Sequence, residues 1–321
     1  MIGNKRFSNI AFKSTVDFSD KWAKIPSLDA NYMTPESRSN TVAGVGSSRT
    51  TPQILKDMDN ATPVVREIIL NGKNMNSGCG TGGMMGVFYN TAYQYSKKDS
   101  VSGIPIQNLA VVMDPPWGDE NIKDCIPVGK ATSEIDRIDK FMRTSDHFLA
   151  EKGSVSTLQE MVYVVGENKN IVFADKHFYA GLSNQYSRMF KDNLIPYAPE
   201  EAFLRTDNKD IKGILDKINS PLPKLAQSES NLPLAIKEFS DAYVVYRGDA
   251  KTIKKAVSLV QQNTYAPKGK PPKPVLFVGD FFDGLKQQYK MICDSGLLNY
   301  KPGELFKFIS IREAKKFGKL M

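Results

Sequence analysis

The sequence has few of the residues that build disulfide frameworks and metal centres. Its 321 residues include three cysteines, Cys79, Cys125 and Cys293, and two histidines, His147 and His177. The cysteines are far apart and lack the paired spacing of a zinc site, so we expect neither a disulfide framework nor a metal centre. Two histidines leave little material for a catalytic triad, and we interpret both as ordinary helix residues.

Long apolar runs are also missing. No segment approaches the roughly 18 to 20 apolar residues of a membrane helix, and the N-terminus has no apolar core of a secretory signal. Hydrophobic residues make up 41% of the chain and charged residues 24%, which is typical of globular proteins rather than of disordered chains. These features predict a soluble, non-exported protein in a reducing cytoplasm.

The charge balance is basic but diffuse. Forty-three Lys and Arg residues against thirty-five Asp and Glu residues give a net charge of +8. This favours an anionic partner without requiring nucleic acid. The densest basic stretches, residues 268–273 and the last ten residues, are interpreted as a solvated linker and a tail.

Apolar periodicity predicts an α/β fold. Residues 109–113, 161–165, 242–246 and 275–278 are short apolar runs typical of buried strands. Residues 132–151 have helical spacing between the first two runs, and a strand, a crossover helix and a strand indicate a parallel sheet. Further helices are predicted over residues 84–95, 178–190, 252–262 and 283–293. A proline-rich stretch, residues 219–233, has the composition of a connector, and no internal repeat is apparent.

The most informative segment is a glycine cluster before the predicted helix 84–95. It consists of Gly78, Cys79, Gly80, Thr81, Gly82 and Gly83. Glycines let backbone N–H groups approach an anion, and a helix N-terminus adds partial positive charge, so the cluster is a candidate phosphate site. It lacks the Gly-Lys-Ser/Thr of a P-loop and the acidic partner of a dinucleotide fingerprint. The structural alternative is a tight turn that packs a helix against a sheet.

The glycine cluster resembles the signature loop of the tubulin and FtsZ superfamily. Other segments resemble parts of the same family in the same order. Ala43, Gly44, Val45 and Gly46 resemble the loop that meets the terminal phosphate. The segment from Pro115 to Glu120 resembles the ribose loop, and Asn168 and Asn184 stand where the family contacts the guanine base.

The segment after the predicted central helix resembles the catalytic acidic loop of this family. Its carboxylates, Asp207 and Asp210, would orient water on the nucleotide of the neighbouring subunit. Taken by themselves, two such residues before a helix are more typical of a cap and a solvated first turn. Their position after the central helix is what favours the catalytic interpretation.

The resemblance implies a GTPase that polymerises head to tail, with GTP or GDP and Mg²⁺ bound at the subunit junctions. The small phage and plasmid tubulin-like proteins match the length best, which implies a filament that positions or segregates DNA in a bacterial cytoplasm. Its partners would be further copies of itself and a DNA-bound adaptor or phage cargo. The domains would be a nucleotide-binding domain over residues 1–195 with the central helix, a smaller α/β domain over residues 196–305, and a basic tail over residues 306–321.

Two other classes remain open. The segment 78–82 also resembles the first motif of S-adenosylmethionine methyltransferases, and residues 114–117, Asp-Pro-Pro-Trp, resemble the catalytic tetrapeptide of those that methylate base amines. The order and spacing of the two motifs differ from that family. The other alternative is a non-catalytic member of the tubulin fold that acts as an interaction protein.

Overall fold

The computed structural model describes residues 33–96, 107–114, 125–226, 233–265, 272–298 and 302–317. The predicted ribose loop, from Pro115 to Glu120, lies outside these residues. Within them, no helix combines the length and the apolar character that crossing a membrane requires.

The first part of the chain forms a seven-stranded sheet in which every pair of neighbouring strands is parallel. The strand order is β4-β3-β2-β1-β5-β6-β7. The strands are β1 (Thr41–Val45), β2 (Asn74–Asn76), β3 (Asn108–Met113), β4 (Ile126–Ala131), β5 (His147–Ala150), β6 (Asn170–Phe173) and β7 (Leu204–Arg205). The helices are α1 (Pro35–Ser39), α2 (Pro52–Leu70), α3 (Gly83–Ser96), α4 (Glu134–Thr144), α5 (Val155–Val164), α6 (Ala180–Lys191), α7 (Pro199–Ala202) and α8 (Ile211–Asn219).

The second part forms a four-stranded sheet in the order β11-β10-β9-β8. Its strands are β8 (Ile236–Glu238), β9 (Tyr243–Val245), β10 (Val275–Val278) and β11 (Phe306–Ile309), of which β8 is antiparallel to β9. Its helices are α9 (Ala250–Asn263), α10 (Asp283–Asp294), α11 (Pro302–Leu305) and α12 (Ile311–Phe317). The structure therefore confirms an α/β fold with a parallel sheet.

Helix starts follow local sequence signals. Thr51 caps α2, where its hydroxyl accepts a hydrogen bond from the amide of Ile54 at 3.1 Å, and Pro52 occupies the first helical position. Ser133 caps α4 in the same way. Proline needs no amide partner in the first turn, and a Thr or Ser cap satisfies one orphan donor.

The strand predictions at residues 109–113, 242–246 and 275–278 are confirmed, and the one at residues 161–165 is wrong. Residues 161–164 are the last turn of α5, which is buried on most of its surface and therefore has no polar face to reveal a helix. The strands before and after α5 are β5 and β6, and the sequence analysis predicted neither of them. The predicted helix over residues 132–151 ends at Thr144, and His147, expected on a helix, lies in β5.

The predicted domain limits also change. The first sheet includes β7 and is followed by α8, so the first unit ends near Asn219 rather than at residue 195. The predicted tail is wrong as far as residue 317, because Phe306–Ile309 is strand β11, paired with β10. The ring of Phe306 stacks on Tyr289 of α10 with 4.2 Å between ring centroids. This segment belongs to the core of the second unit.

The two sheets contain the same folding unit. Each unit runs strand, helix, strand, helix, short helix, strand and helix, from β5 to α8 in the first sheet and from β9 to α12 in the second. The strands lie in the same order, β5-β6-β7 and β9-β10-β11, and pair in parallel. The expectation that the chain has no internal repeat is therefore wrong.

Short sequence matches follow this structural correspondence. Gly-x-x-x-Thr occurs at residues 153–157 and 248–252, which are 95 positions apart. Gly-Leu-x-x-Gln-Tyr occurs at residues 181–186 and 284–289, which are 103 positions apart. The spacing changes because the loops between the matches differ in length, and this change hides the repeat from inspection of the sequence.

The two units face each other through α6 and α10 with approximate two-fold symmetry. The amide of Leu182 donates to Oε1 of Gln288 at 3.1 Å, and the amide of Leu285 donates to Oε1 of Gln185 at 3.2 Å. Leu182 and Gln185 of α6 correspond to Leu285 and Gln288 of α10, so each helix makes the same contact with the other. The helices can approach this closely because glycine occupies the crossing point on each of them.

Candidate functional site

A crevice opens at the carboxyl edge of the seven-stranded sheet between β1 and β5. From β1 the chain continues to β2 on one side, and from β5 it continues to β6 on the other side. In doubly wound sheets, ligands bind where the connections diverge in this way. The crevice has a volume of about 260 Å³ and adjoins a second depression of about 250 Å³ toward α9. Together they reach the size range of small-molecule sites, about 300–1,000 Å³.

Five segments of the chain line the crevice. They are the turn after β1, the glycine cluster with the start of α3, the start of α4, the first half of α5, and Tyr265 just after α9. Gly46 and Gly80 are the two predicted phosphate-contacting residues among the lining groups. The turn after β1 is tied to the turn after β5, because the amide of Ser47 donates to the carbonyl oxygen of Lys152 at 3.0 Å.

The segment predicted to meet the terminal phosphate is mostly strand. Ala43, Gly44 and Val45 are buried in β1 and pair with β5. A Cβ at Gly44 would lie 2.4 Å from Cγ of Phe88. This glycine therefore makes room for an aromatic ring of α3, and only Gly46 reaches the crevice.

The glycine cluster follows β2 and leads into α3, and most of its glycines serve close packing. A Cβ at Gly82 would lie 2.4 Å from the carbonyl oxygen of Ser48, and one at Gly83 would lie 2.4 Å from that of Ser47. The amide of Gly83 donates to Oγ1 of Thr50 at 3.3 Å. The start of α3 is thus covered by the turn after β1, as the structural alternative predicts. Thr81 is exposed.

Arg137 of α4 lies over the cluster. A Cβ at Gly78 would fall 2.0 Å from its Nη2 atom, so the guanidinium occupies the space that this glycine leaves. Arg137 is buried, and it lies against the ring of Phe141 with 5.4 Å to the centroid. Together with Arg49, it gives the crevice two cationic groups.

The crevice also contains carboxylates. Glu134 and Glu160 line it, and burial raises the pKa of Glu160 to about 7, an effect that Arg137 opposes and Glu134 reinforces. The charges of the crevice are therefore mixed. No group of three His, Cys, Asp or Glu side chains with the geometry of a metal site occurs in the described ranges. A Mg²⁺ ion carried on phosphates needs only one or two protein oxygens, and Glu160 is in a position to supply one.

Cys79 forms a disulfide bond with Cys125, at the approach to β4. The expectation of unpaired cysteines is therefore wrong for this pair, while Cys293 is free. The two cysteines are 46 positions apart, and sequence spacing alone cannot pair residues that meet through adjacent strands. The disulfide joins the glycine cluster to the edge of the sheet.

Neither predicted base-contacting residue lies at the crevice. Because residues 161–164 are helical, Asn168 precedes β6 and lies at the opposite edge of the sheet, where its Oδ1 accepts a hydrogen bond from the amide of Leu225 at 2.8 Å. Asn184 is exposed on α6, and its Nδ2 donates to Oε1 of Gln287 on α10 at 2.8 Å. Both amides serve contacts within the fold.

Asp207 and Asp210 lie on the surface at the carboxyl edge of β7. Asp207 pairs with Lys176 at 2.8 Å, and this pairing lowers its pKa. Asp210 caps α8, where its carboxylate accepts the amide of Gly213 at 3.0 Å and the hydroxyl of Thr206 at 2.8 Å. The crevice lies between β1 and β5, and β7 is two strands away from β5 and three from β1, so roughly 10–14 Å of sheet at about 4.8 Å per strand separates these acids from the crevice.

A polar cluster that sequence reasoning missed lies beside Asp207 and lines the same depression, which has a volume of about 240 Å³. Its members are Asp57, Glu151, Asp175 and Lys152. Lys152 bridges Asp57 at 2.9 Å and Asp175 at 3.0 Å. Burial raises the pKa of Glu151 to about 8; Asn208 donates to its Oε2 at 3.1 Å and opposes the shift. Glu151 and Lys152 directly follow β5. The sequence would have pointed to them as residues at the end of a strand, but β5 was predicted as part of a helix.

The geometry defines an α/β protein with a doubly wound parallel sheet and a polar crevice at its switch point. Neither the protein-family models nor the curated proteins give a match to this sequence.

Proposed function

We propose that this chain binds GTP in the crevice between β1 and β5 and hydrolyses it in a head-to-tail polymer of the tubulin type. The observation that carries the proposal is the meeting of two glycine-bearing turns at the switch point, with Gly46 and Gly80 in the lining. Backbone amides at such a position are suited to phosphates. Arg49 and Arg137 add positive charge to the same crevice.

The family resemblance assigns the acidic loop to catalysis between subunits. Asp207 and Asp210 lie on the carboxyl edge of the sheet, as the crevice does, and the order of the strands places β7 two strands away from β5. They are accessible, since the Asp207 side chain is 40% exposed and Asp210 is exposed. Because the crevice and the acids lie on the same edge, a neighbouring copy brings its nucleotide to them only by turning its own carboxyl edge toward this one, which is a two-fold contact and not a head-to-tail one. The part of these carboxylates in orienting water for phosphoryl transfer therefore rests on the family resemblance.

The remaining parts of the proposal come from the family resemblance. Mg²⁺ would neutralise charge on the phosphates, and Glu134 and Glu160 are the carboxylates in the crevice that could hold it. The filament would act in the cytoplasm of a bacterial host to position phage or plasmid DNA through an adaptor. In that compartment thiols are kept reduced, so Cys79 and Cys125 would be a dithiol there.

Light scattering with different ligands tests the proposal. GTP added to the 321-residue chain is expected to increase scattering, whereas GDP and S-adenosylmethionine leave it unchanged. Electron micrographs should show filaments with GTP alone. Binding of S-adenosylmethionine without assembly would favour the methyltransferase alternative, and the absence of both nucleotide binding and assembly would favour a non-catalytic interaction protein.

Asp210 offers a test that separates catalysis from helix capping. Asp210→Ala is expected to give filaments that hydrolyse GTP slowly and also to lose about 1 kcal/mol of stability, because α8 loses its cap. Asp210→Asn keeps a capping oxygen but removes the charge, so it should retain stability and still hydrolyse GTP slowly. The measurements are phosphate release and urea unfolding.

The asparagine variant decides between the two roles. If Asp210→Asn released phosphate at the parental rate, Asp210 would be a cap and nothing more. If it assembled normally but turned over slowly, the carboxylate itself would be required.

A further inference from the structure

The equivalent helices α5 and α9 begin with different caps. In α9, Oδ1 of Asp249 accepts hydrogen bonds from the amide of Thr252 at 3.0 Å and from its hydroxyl at 3.3 Å. Asp249 is only 2% exposed. A carboxylate therefore lies buried on the first turn of α9, where the backbone amides and the helix dipole favour negative charge.

In α5 the corresponding positions hold Ser154 and Thr157. Ser154 makes no side-chain capping bond, and its Oγ lies 2.8 Å from Oγ of Ser156. The hydroxyl of Thr157 is buried, with 1% of the residue exposed. Among the residues that the structure describes, this hydroxyl has no hydrogen-bond partner.

The two turns place their threonines alike. A Cβ at Gly153 would lie 2.1 Å from Oγ1 of Thr157, and a Cβ at Gly248 would lie 2.4 Å from Oγ1 of Thr252. Both hydroxyls are therefore directed at the turn that leads into the helix. In α9 the amide and the hydroxyl of Thr252 donate to the carboxylate of Asp249. In α5 Thr157 offers the same two donors, but Ser154 occupies the position of Asp249 and supplies no carboxylate.

We propose that the first turn of α5, from Gly153 to Thr157, binds the phosphate group of a ligand in the place that corresponds to the Asp249 carboxylate of α9. Its donors are the first-turn amides together with the hydroxyls of Ser154, Ser156 and Thr157. An oxyanion at the start of a ten-residue helix also gains from the helix dipole. The identity of the molecule that carries the phosphate rests on the proposed function, but the anion site itself does not.

The surroundings favour α5 over α3 as the anion-binding helix. Ser154 and Ser156 line the crevice, so a ligand can reach this turn. The start of α3, in contrast, is covered by the backbone of the turn after β1 and by Thr50. Arg49 and Arg137 lie in the same crevice and offset the carboxylates of Glu134 and Glu160.

Ser154→Asp tests the proposal by giving α5 the cap of α9. The new carboxylate should accept the Thr157 donors and repel an incoming anion, so binding of inorganic phosphate and of GTP should weaken at least about tenfold. The fold should be retained because α9 contains this arrangement. Binding is measured by isothermal titration calorimetry, and urea unfolding checks the fold.

Two further variants make the test specific. Asp249→Ser is the reciprocal change on α9 and should leave phosphate and GTP binding unchanged. Thr157→Val removes the buried hydroxyl with little change of shape, and it should weaken phosphate binding several-fold, by roughly the value of one hydrogen bond. A second readout is the phosphate-induced rise in Tm, which Ser154→Asp should abolish.

The outcomes distinguish the anion site from the proposed function. Equal binding of phosphate and GTP by the parent and by Ser154→Asp would overturn the anion site and leave the GTPase proposal standing. Loss of phosphate binding in Ser154→Asp, with no GTP binding by the parent, would support the anion site and overturn the GTPase proposal. A parent protein that binds neither ligand would overturn both.

Discussion

The parent protein is expected to lose stability as the pH rises from about 4.5 to about 8, and Glu151→Gln is expected not to show this loss. Burial raises the pKa of Glu151 from 4.5 to about 8, and Asp175 and Asp57 add repulsion, whereas Asn208 opposes the shift. Between these two pH values the folded chain holds a proton that the unfolded chain has released. The free energy of unfolding therefore falls as the pH rises, by an amount on the order of 4 kcal/mol.

The measurement is the difference in unfolding free energy between Glu151→Gln and the parent at several pH values. Taking the difference removes the contribution of His147, whose pKa burial and the charge of Lys73 lower from 6.5 to about 4. His147 acts in the opposite direction, because its proton binds more tightly to the unfolded chain and stability rises with pH over that range. We expect the difference to favour the variant increasingly from about pH 4.5 to about pH 8.

Glu200→Gln is the matched control for this experiment. Glu200 is exposed on α7, and its replacement leaves the buried carboxyl of Glu151 in place, so the pH dependence that comes from Glu151 should remain. A Glu151→Gln profile that is parallel to the parent would show that the Glu151 carboxyl is ionised in the folded state at neutral pH, contrary to the argument from burial.

Gly181→Ala is expected to destabilise the protein by about 1–3 kcal/mol, although alanine normally stabilises a helix relative to glycine. A Cβ at Gly181 would lie 2.3 Å from the backbone nitrogen of Gln288 and 2.6 Å from the carbonyl oxygen of Gly284. Backbone atoms of a second helix cannot move aside as a flexible side chain can. Helices α6 and α10 must then separate, and the reciprocal glutamine contacts between the two units are lost.

Urea unfolding measures this effect, with Gly303→Ala as the control. Among the described residues, a Cβ at Gly303 would meet Cε of Lys307 at 3.6 Å and no closer atom, so this change should be neutral or slightly stabilising. Gly284→Ala should resemble Gly181→Ala, and the double variant should cost less than the sum because one separation of the helices relieves both clashes. Strict additivity of the two changes would argue against a shared crossing point.

Parts of the fold could be predicted because their determinants are local. Strand β10 and helices α3, α9 and α10 follow from apolar periodicity and from the turn residues at their ends. Helix α5 could not be identified because it is buried on most sides, so its sequence carries no amphipathic signal. Because of that one error, Asn168 was predicted at the carboxyl end of a strand, whereas it lies at the opposite edge of the sheet. The same error hid the turn at Gly153, which precedes α5.

The candidate site was predicted in part. Gly80 of the glycine cluster lines the crevice, whereas Gly78, Gly82 and Gly83 make room for Arg137 and for the turn after β1. Glycine has the same sequence signature whether it allows an anion or a neighbouring backbone to approach. The Cys79–Cys125 pair and the Glu151 cluster were missed because their members lie on separate strands and turns that only the sheet brings together.

The sequence by itself determined the α/β class, the starts of α3, α4, α6, α9 and α10, and the location of a glycine-rich turn before α3, since each depends on residues within a few positions of one another. The tertiary structure decided the strand order, the position of the switch-point crevice and the repeat that relates α5 to α9. These depend on which distant segments pack together, and loops of unequal length between the two units conceal that correspondence along the chain. The difference between Ser154 and Asp249, from which the anion site is inferred, has meaning only once the two helices are recognised as equivalent.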